Sequence, residues 1–242
     1  MPIYNAPLAD MKFILNDVFN ADQFWQSNEN LAHVDSATAE AILEEMAKFA
    51  QNVTLPLNRT GDEEGATFSN GAVTTPAGFK EAFKQYAEGG WIGLAADEEW
   101  GGQGMPKMLT VLADEMLFAT NPSFMLYPLL SVGAGMALNS YASQEQKETY
   151  LPKIYSGEWS GTMCLTEPHA GTDLGIIKTK AERNEDGTYN ITGTKIFITG
   201  GDHDLAENII HLVLAKTPVA PAGSRGISLF IVPKFLVNAD GS

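Results

Sequence analysis

The chain has 242 residues, 44% hydrophobic and 19% charged, an ordinary globular composition long enough for one or two domains with a sizeable core. Its formal net charge of −15 argues against a nucleic-acid partner, which needs a basic footprint, and against an anionic membrane surface, but a few local donors still suffice for a small polyanionic ligand. The single cysteine, Cys164, excludes an internal disulfide and the cysteine-rich zinc patterns, and the start MPIYNAPLADMKF lacks the basic and apolar regions of a secretory signal, so the expectation is a soluble cytoplasmic protein.

In chain order, Phe13, Ile14, Val18, Phe19 and Trp25 mark an N-terminal segment that packs onto something. From Asp35 or Ser36, either of which can cap, Ile42, Leu43, Met46, Phe49, Ala50 and Val53 recur at helical spacing. Pro56 marks the expected end of that helix, and Gly61–Gly65 reads as a polar loop. A second helix follows Pro76 with Phe79, Phe83, Tyr86 and Ala87 on one face and Gly89-Gly90 as its stop. A Gly-rich loop, WIGLAADEEWGGQG, leads to a third helix from about Pro106 to Ala119. The uncharged run from Asn121 to Ala142 contains Pro122, Pro128, Gly133 and Gly135 and reads as a buried core helix, not a membrane span. Ser143 and Gln146 form a capping box for a fifth helix that ends near Gly157.

After Gly157 the period falls toward two. Ile177, Thr179 and Ala181 alternate with Lys178, Lys180 and Glu182, and Asp186-Gly187 is a hairpin signal. Further strands are expected at Tyr189–Thr192, Lys195–Thr199, Ile209–Ala215 and Ile227–Val232. Helices followed by strands imply an α+β chain. Its expected divisions are an N-terminal extension (1–34), an all-helical domain (35–157) and a β-barrel-like or β-sandwich domain (158–242).

Several candidate sites have plain structural readings. Gly101-Gly102-Gln103-Gly104 lacks the spacing and the preceding strand of a nucleotide loop and reads as a turn. Asp202-His203-Asp204 lacks a second ligand at a usual offset, so no metal site is expected. Cys164, between Met163 and Leu165, reads as a buried, inert thiol. Two segments are more informative. In Met163–Asp173, a strand runs into Pro168, Ala170, Gly171 and Thr172, small or turn-forming residues that let a backbone approach a ligand. In Thr194–Asn208, a strand that ends in Gly200-Gly201 would place Phe197 and Thr199 on one face, an aromatic and a hydroxyl suited to a flat heterocycle. A surface turn and an ordinary strand remain alternatives on composition alone.

Together the segments resemble the acyl-CoA dehydrogenase family, whose pattern is T-E-P-x-A-G-[ST]-D, then K-x-x-A, a hairpin, and G-x-K-x-[WF]-I-T. Here Thr166–Asp173, Lys178–Ala181 and Gly193–Thr199 follow it with the spacing kept. Gly93-Leu94, Trp100–Gly104 and Gly226–Pro233 add to the match, which covers essentially the whole chain. The N-terminal segment and the downstream strands look like the larger subfamily that includes 3-methylthiopropionyl-CoA dehydrogenase-like enzymes.

The resemblance implies an oxidoreductase that uses FAD and an acyl-CoA substrate in fatty acid metabolism. A glutamate takes the α-proton while the β-hydrogen leaves as hydride to flavin N5. It implies that Met163, Leu165, Thr166, Gly171, Thr172, Phe197, Ile198 and Thr199 contact the cofactor, with Thr172 also touching the substrate. Phe197 stands where many members have Trp, and His169 where Gly is common. The family's glutamate lies in a C-terminal helical domain that is expected to be absent, so no catalytic residue is assigned here and the chain is expected to be an inactive fragment. Electron-transfer flavoprotein is the implied acceptor and a homo-oligomer the implied state of the parent. A non-catalytic interaction module of this fold and an acyl-CoA oxidase-type enzyme are the alternatives.

Overall fold

The computed structural model describes residues 3–238. Two short helices, α1 (Leu8–Phe13) and α2 (Ala21–Gln26), flank a π turn over Ile14–Val18. They dock through Met11, Leu15, Ala21 and Trp25. Of the apolar residues expected to pack here only Trp25 is buried. Phe13, Ile14, Val18 and Phe19 are exposed, because Met11 and Leu15 occupy the inward side of the helical turn.

Helix α3 (Ser36–Phe49) begins as expected, the Asp35 carboxylate accepting from the Thr38 N–H at 2.7 Å. It does not stop before Pro56. A π turn over Ala50–Thr54 carries it into α4 (Leu55–Glu64), which ends at Gly65 with φ 69°. Pro56 sits in the first turn of α4, directly after the π turn. The expected Gly61–Gly65 loop is therefore helix up to Glu64. Gly61 is a packing residue, since a Cβ there would lie 2.6 Å from the Phe79 ring. The buried hydroxyls of Thr54 and Thr120 meet at 2.7 Å. The Asn121 amide donates to the Thr54 carbonyl, and its Oδ1 accepts from the Phe124 N–H, so one side chain joins the π turn to the cap of a later helix.

A hairpin that the periodicity did not announce follows, β1 (Thr67–Ser69) and β2 (Ala72–Thr74). Asn70 and Gly71 both take positive φ, the pairing of a type I′ turn. Helices α5 (Phe79–Glu88), α6 (Lys107–Thr120), α7 (Pro122–Tyr141) and α8 (Gln144–Tyr155) come in the expected order, with both halves of the Ser143/Gln146 capping box formed. Leu43, Met46, Phe83, Leu109, Met116 and Phe124 anchor the helical core. The Gly101–Gly104 stretch is a turn: Gly102 N–H donates to the Asp97 carbonyl, and the Gln103 side chain to that of Gly90. Among the described residues no helix is long and apolar enough to cross a membrane.

Strands β3 (Trp159–Cys164), β4 (Lys180–Arg183), β5 (Tyr189–Thr192), β6 (Asn208–Lys216) and β7 (Ile227–Pro233) form one mixed sheet. Strand β6 runs parallel to β3, from Trp159↔Asn208 to Cys164↔Val213, and antiparallel to β7 on its other edge. Strand β4 meets the far end of β6 at Lys180↔Lys216 and pairs with β5. Ile177, Thr179 and Ala181 point inward as their alternation predicts, although strand pairing starts only at Lys180. The expected strand at Lys195–Thr199 does not form. Phe197 takes φ 57°, which breaks an extended path, so Phe197 and Thr199 do not share a strand face.

The sheet lies directly on α7. The Gly161 N–H donates to Ser131 Oγ at 3.1 Å, and a Cβ at Gly161 would come within 2.4 Å of the Ala134 Cβ. Ala134, Leu138, Leu151, Ile154, Tyr155, Trp159, Ile210 and Leu212 form a second core, so the helical and sheet parts share an interior. Gly161→Ala is accordingly expected to lower the urea midpoint, at a cost of about 1–3 kcal/mol for overpacking. Gly133, on the same helix, has nothing within 4 Å of where a Cβ would be. Gly133→Ala should raise the midpoint, through a gain of about 0.5–1 kcal/mol in helix propensity. Equal effects of the two substitutions would contradict this account of the α7–β3 contact.

Candidate functional site

Strand β3 ends at Cys164, and the chain turns at once. Glu167 and Ala170 exchange backbone hydrogen bonds of 2.9 and 3.0 Å, closing Pro168-His169 into a tight turn. The Glu167 side chain is 2% exposed. Its Oε2 accepts from the Lys178 N–H at 2.7 Å. Its Oε1 accepts from the Thr179 N–H at 3.0 Å, the Thr179 hydroxyl at 2.6 Å and Lys195 Nζ at 2.8 Å. Burial pushes this carboxyl up, but Lys195, the Thr179 hydroxyl and the two amides outweigh it and hold it down to about 2. Glu167 is thus a fully engaged anion with little basicity to offer.

Lys195 makes a second bond, to the Leu165 carbonyl at 3.1 Å, and the neighbouring Ile196 N–H donates to the Thr166 carbonyl at 2.9 Å. The two segments singled out in the sequence are therefore bonded side by side. Met163 is partly exposed on β3; Leu165 and Thr166 are half-buried just beyond it, and Ile198 is half-buried in the facing segment. Gly171, Thr172 and Thr199 are exposed. Phe197, in its left-handed conformation, is 89% exposed. The hydroxyls of Thr166, Thr172 and Thr199 have no hydrogen-bond partner among the described residues. His169 needs no glycine-like backbone: its φ is not positive, and its Nε2 donates to the Ile176 carbonyl at 3.2 Å, 3.5 Å from Glu167 Oε2.

The Glu167–Lys195 pair is the feature that sequence reasoning passed over. Its signal was an acidic and a basic residue placed one in each of the two informative segments. The Asp202-His203-Asp204 stretch, by contrast, is spent on structure. His203 Nδ1 accepts from the Leu205 N–H at 3.1 Å, so Nε2 carries the proton and donates to Ser160 Oγ at 2.9 Å. Burial pushes this histidine down to about 4. Asp204 Oδ1 accepts from both the backbone and the hydroxyl of Thr75, and Asp202 pairs with Lys234. Cys164 is buried, and burial raises its thiol, as expected of an inert residue.

These two groups give acid unfolding two windows. His203 is neutral in the fold, so its contribution is complete above its ordinary value of 6.5 and is lost as pH falls toward about 4. Glu167 is ionised in the fold, so its contribution is complete above its ordinary value of 4.5 and is lost as pH falls toward about 2. Each loss is on the order of 3 kcal/mol. Urea titrations at stepped pH should show His203→Gln flattening the upper window and Glu167→Gln the lower. Slopes identical to those of the unmodified chain would refute the assigned protonation states.

The geometry can be set beside known proteins. The family model of the acyl-CoA dehydrogenase N-terminal domain matches residues 36–158, and that of the acyl-CoA dehydrogenase middle domain matches residues 162–241. A 3-methylmercaptopropionyl-CoA dehydrogenase of Ruegeria pomeroyi is 45% identical over 98% of this chain, and a butyryl-CoA dehydrogenase of Syntrophomonas wolfei is 40% identical over 99%. The chain spans 40% of the length of each of these relatives. The structure of an acyl-CoA dehydrogenase complexed with FAD from Bacillus anthracis aligns at TM-score 0.66 and 28% identity, covering 84% of this chain and 32% of its own. With both domain models matched in order across the helical and sheet parts, the chain belongs to the acyl-CoA dehydrogenase family.

Proposed function

We propose that this chain is the N-terminal and middle portion of an FAD-dependent acyl-CoA dehydrogenase that introduces an α,β double bond into an acyl-CoA thioester. Residues 1–34 form an extension, 35–157 the helical domain and 158–242 the β domain. The observation that carries the reading is the bonded pair of segments Leu165–Glu167 and Lys195–Ile196, one holding Thr166 with its hydroxyl unpaired and the other leading directly into the exposed ring of Phe197. An apolar face next to hydrogen-bonding groups suits a flat heterocycle with a polar edge. Thr166, with the backbone of Met163 and Leu165, would hold the edge of the flavin ring. Phe197 would cover its face, with Ile198 and Thr199 beside it, and Gly171 and Thr172 would close the loop, Thr172 also meeting the acyl-CoA.

FAD, when bound, supplies the acceptor for the β-hydride. The part of the chain described here orients, covers and excludes water. Removal of the α-proton needs a base near the operating pH, and Glu167, held at about 2 by its four donors, is unsuited to it. The base is assigned to a region of the parent outside these 242 residues, consistent with the 40% share of its relatives that this chain represents. For the parent we propose electron-transfer flavoprotein as acceptor and a homo-oligomeric state.

The full-length protein should purify with bound FAD and lose its flavin absorbance when titrated with an acyl-CoA substrate. Phe197→Ala and Thr166→Val should each weaken FAD binding about tenfold, the scale of one lost stacking or hydrogen-bonding contact. The 242-residue chain alone should hold FAD weakly and turn over no acyl-CoA with an artificial acceptor. A colourless full-length protein, or turnover by the isolated chain, would defeat this reading.

A further inference from the structure

The Glu167–Lys195 pair reaches further than the loop it closes. Lys195 Nζ, its side chain 10% exposed, bonds at once to the Leu165 carbonyl and to Glu167 Oε1. The next residue, Ile196, bonds to the Thr166 carbonyl, and Phe197 follows with φ 57°. A bulky aromatic residue, unlike the Asn of a hairpin turn, adopts that conformation where its surroundings over-determine it. Here the over-determination comes from the residue before it, which is tied to Thr166, and from the one before that, which is tied to Leu165 and Glu167. The carboxylate in turn holds the start of the next strand through Lys178 and Thr179. One buried ion pair thus gathers three stretches of chain behind the Leu165–Thr166 backbone.

We propose that Glu167 and Lys195 are positioning residues for the flavin. They fix the segment that carries Phe197 beside the Leu165–Thr166 backbone, and as a balanced pair of charges they would set the local potential where the flavin binds. This rests on the proposed function above. The charges act on the flavin differently from the structural bonds. Removing either partner loosens the same clamp, so both substitutions weaken cofactor binding. Removing Glu167 leaves an uncompensated cation, which favours the electron-rich reduced flavin. Removing Lys195 leaves an uncompensated anion, which disfavours it.

The test uses the full-length protein and three measurements: FAD affinity by fluorescence, the midpoint potential of the bound flavin, and the urea midpoint. Unmodified protein comes first. If it binds no FAD, the functional reading itself falls. If it binds, Lys195→Met and Glu167→Gln should each weaken FAD binding at least about tenfold, the scale of losing the partner that holds a ligating residue at a metal site. The double variant should be no weaker than the worse single one. The potential should rise in Glu167→Gln and fall in Lys195→Met, an opposition that a purely structural defect does not produce. Lys195→Arg keeps the charge and a donor, guards against a Lys195→Met variant that fails to fold, and should stay within about threefold of unmodified affinity with its midpoint potential unmoved. Additive losses of affinity, potentials that move together or not at all, or Lys195→Arg as impaired as Lys195→Met would each overturn the proposal.

Discussion

The contact between α7 and β3 is the constraint on which the rest of the molecule rests. A helix can approach a strand this closely only where a side chain is missing, and Gly161 provides the gap that Ala134 and Ser131 fill. The close approach seats β3 on the helical layer and gives β6 a parallel edge to pair with. It lets Trp159, Ile210 and Leu212 share a core with Leu151 and Ile154. The C-terminal end of β3 is then held in a fixed place, and the residues just past it are the candidate site. Functional loops at the ends of rigid strands are the general arrangement, because the scaffold absorbs the entropy cost of placing them.

At that strand end, order comes from electrostatics, not from apolar burial. Glu167 is almost wholly removed from water, and an isolated carboxylate there would be strongly destabilising. Four donors from two separate segments compensate it. A buried charge of this kind adds little net stability compared with an apolar replacement, yet it is demanding about geometry, since each donor must be in place. That demand suits a site in which two loops must keep a set distance while presenting an exposed ring and free hydroxyls to solvent. His203 solves a similar problem differently: buried and neutral, it spends both ring nitrogens on Leu205 and Ser160.

Much of the helical part was legible in the sequence because its signals are local. Caps at Asp35 and Ser143, the stripe of α5 and the uncharged run of α7 depend on residues within a turn or two of each other. Pro56 and Gly61 look like breakers in isolation, but the preceding π turn accommodates Pro56 within a helix, and Gly61 leaves the space that the ring of Phe79, distant in sequence, fills. Lys195–Thr199 has a strand's composition, but its backbone partners lie in a turn and not along an edge, so it never becomes a strand.

The order of residues alone determined the family, the α-then-β plan and which two segments carry the candidate site. Those rest on spacing along the chain, which folding does not alter. Tertiary structure alone decided that the two segments are bonded to each other, that Phe197 is held in a left-handed conformation with its ring exposed, and that Glu167 is a buried anchor bonded to Lys195 and Thr179. Each of those depends on atoms about thirty residues apart coming within hydrogen-bonding distance, and on water being excluded where they meet. No periodicity or motif encodes that directly.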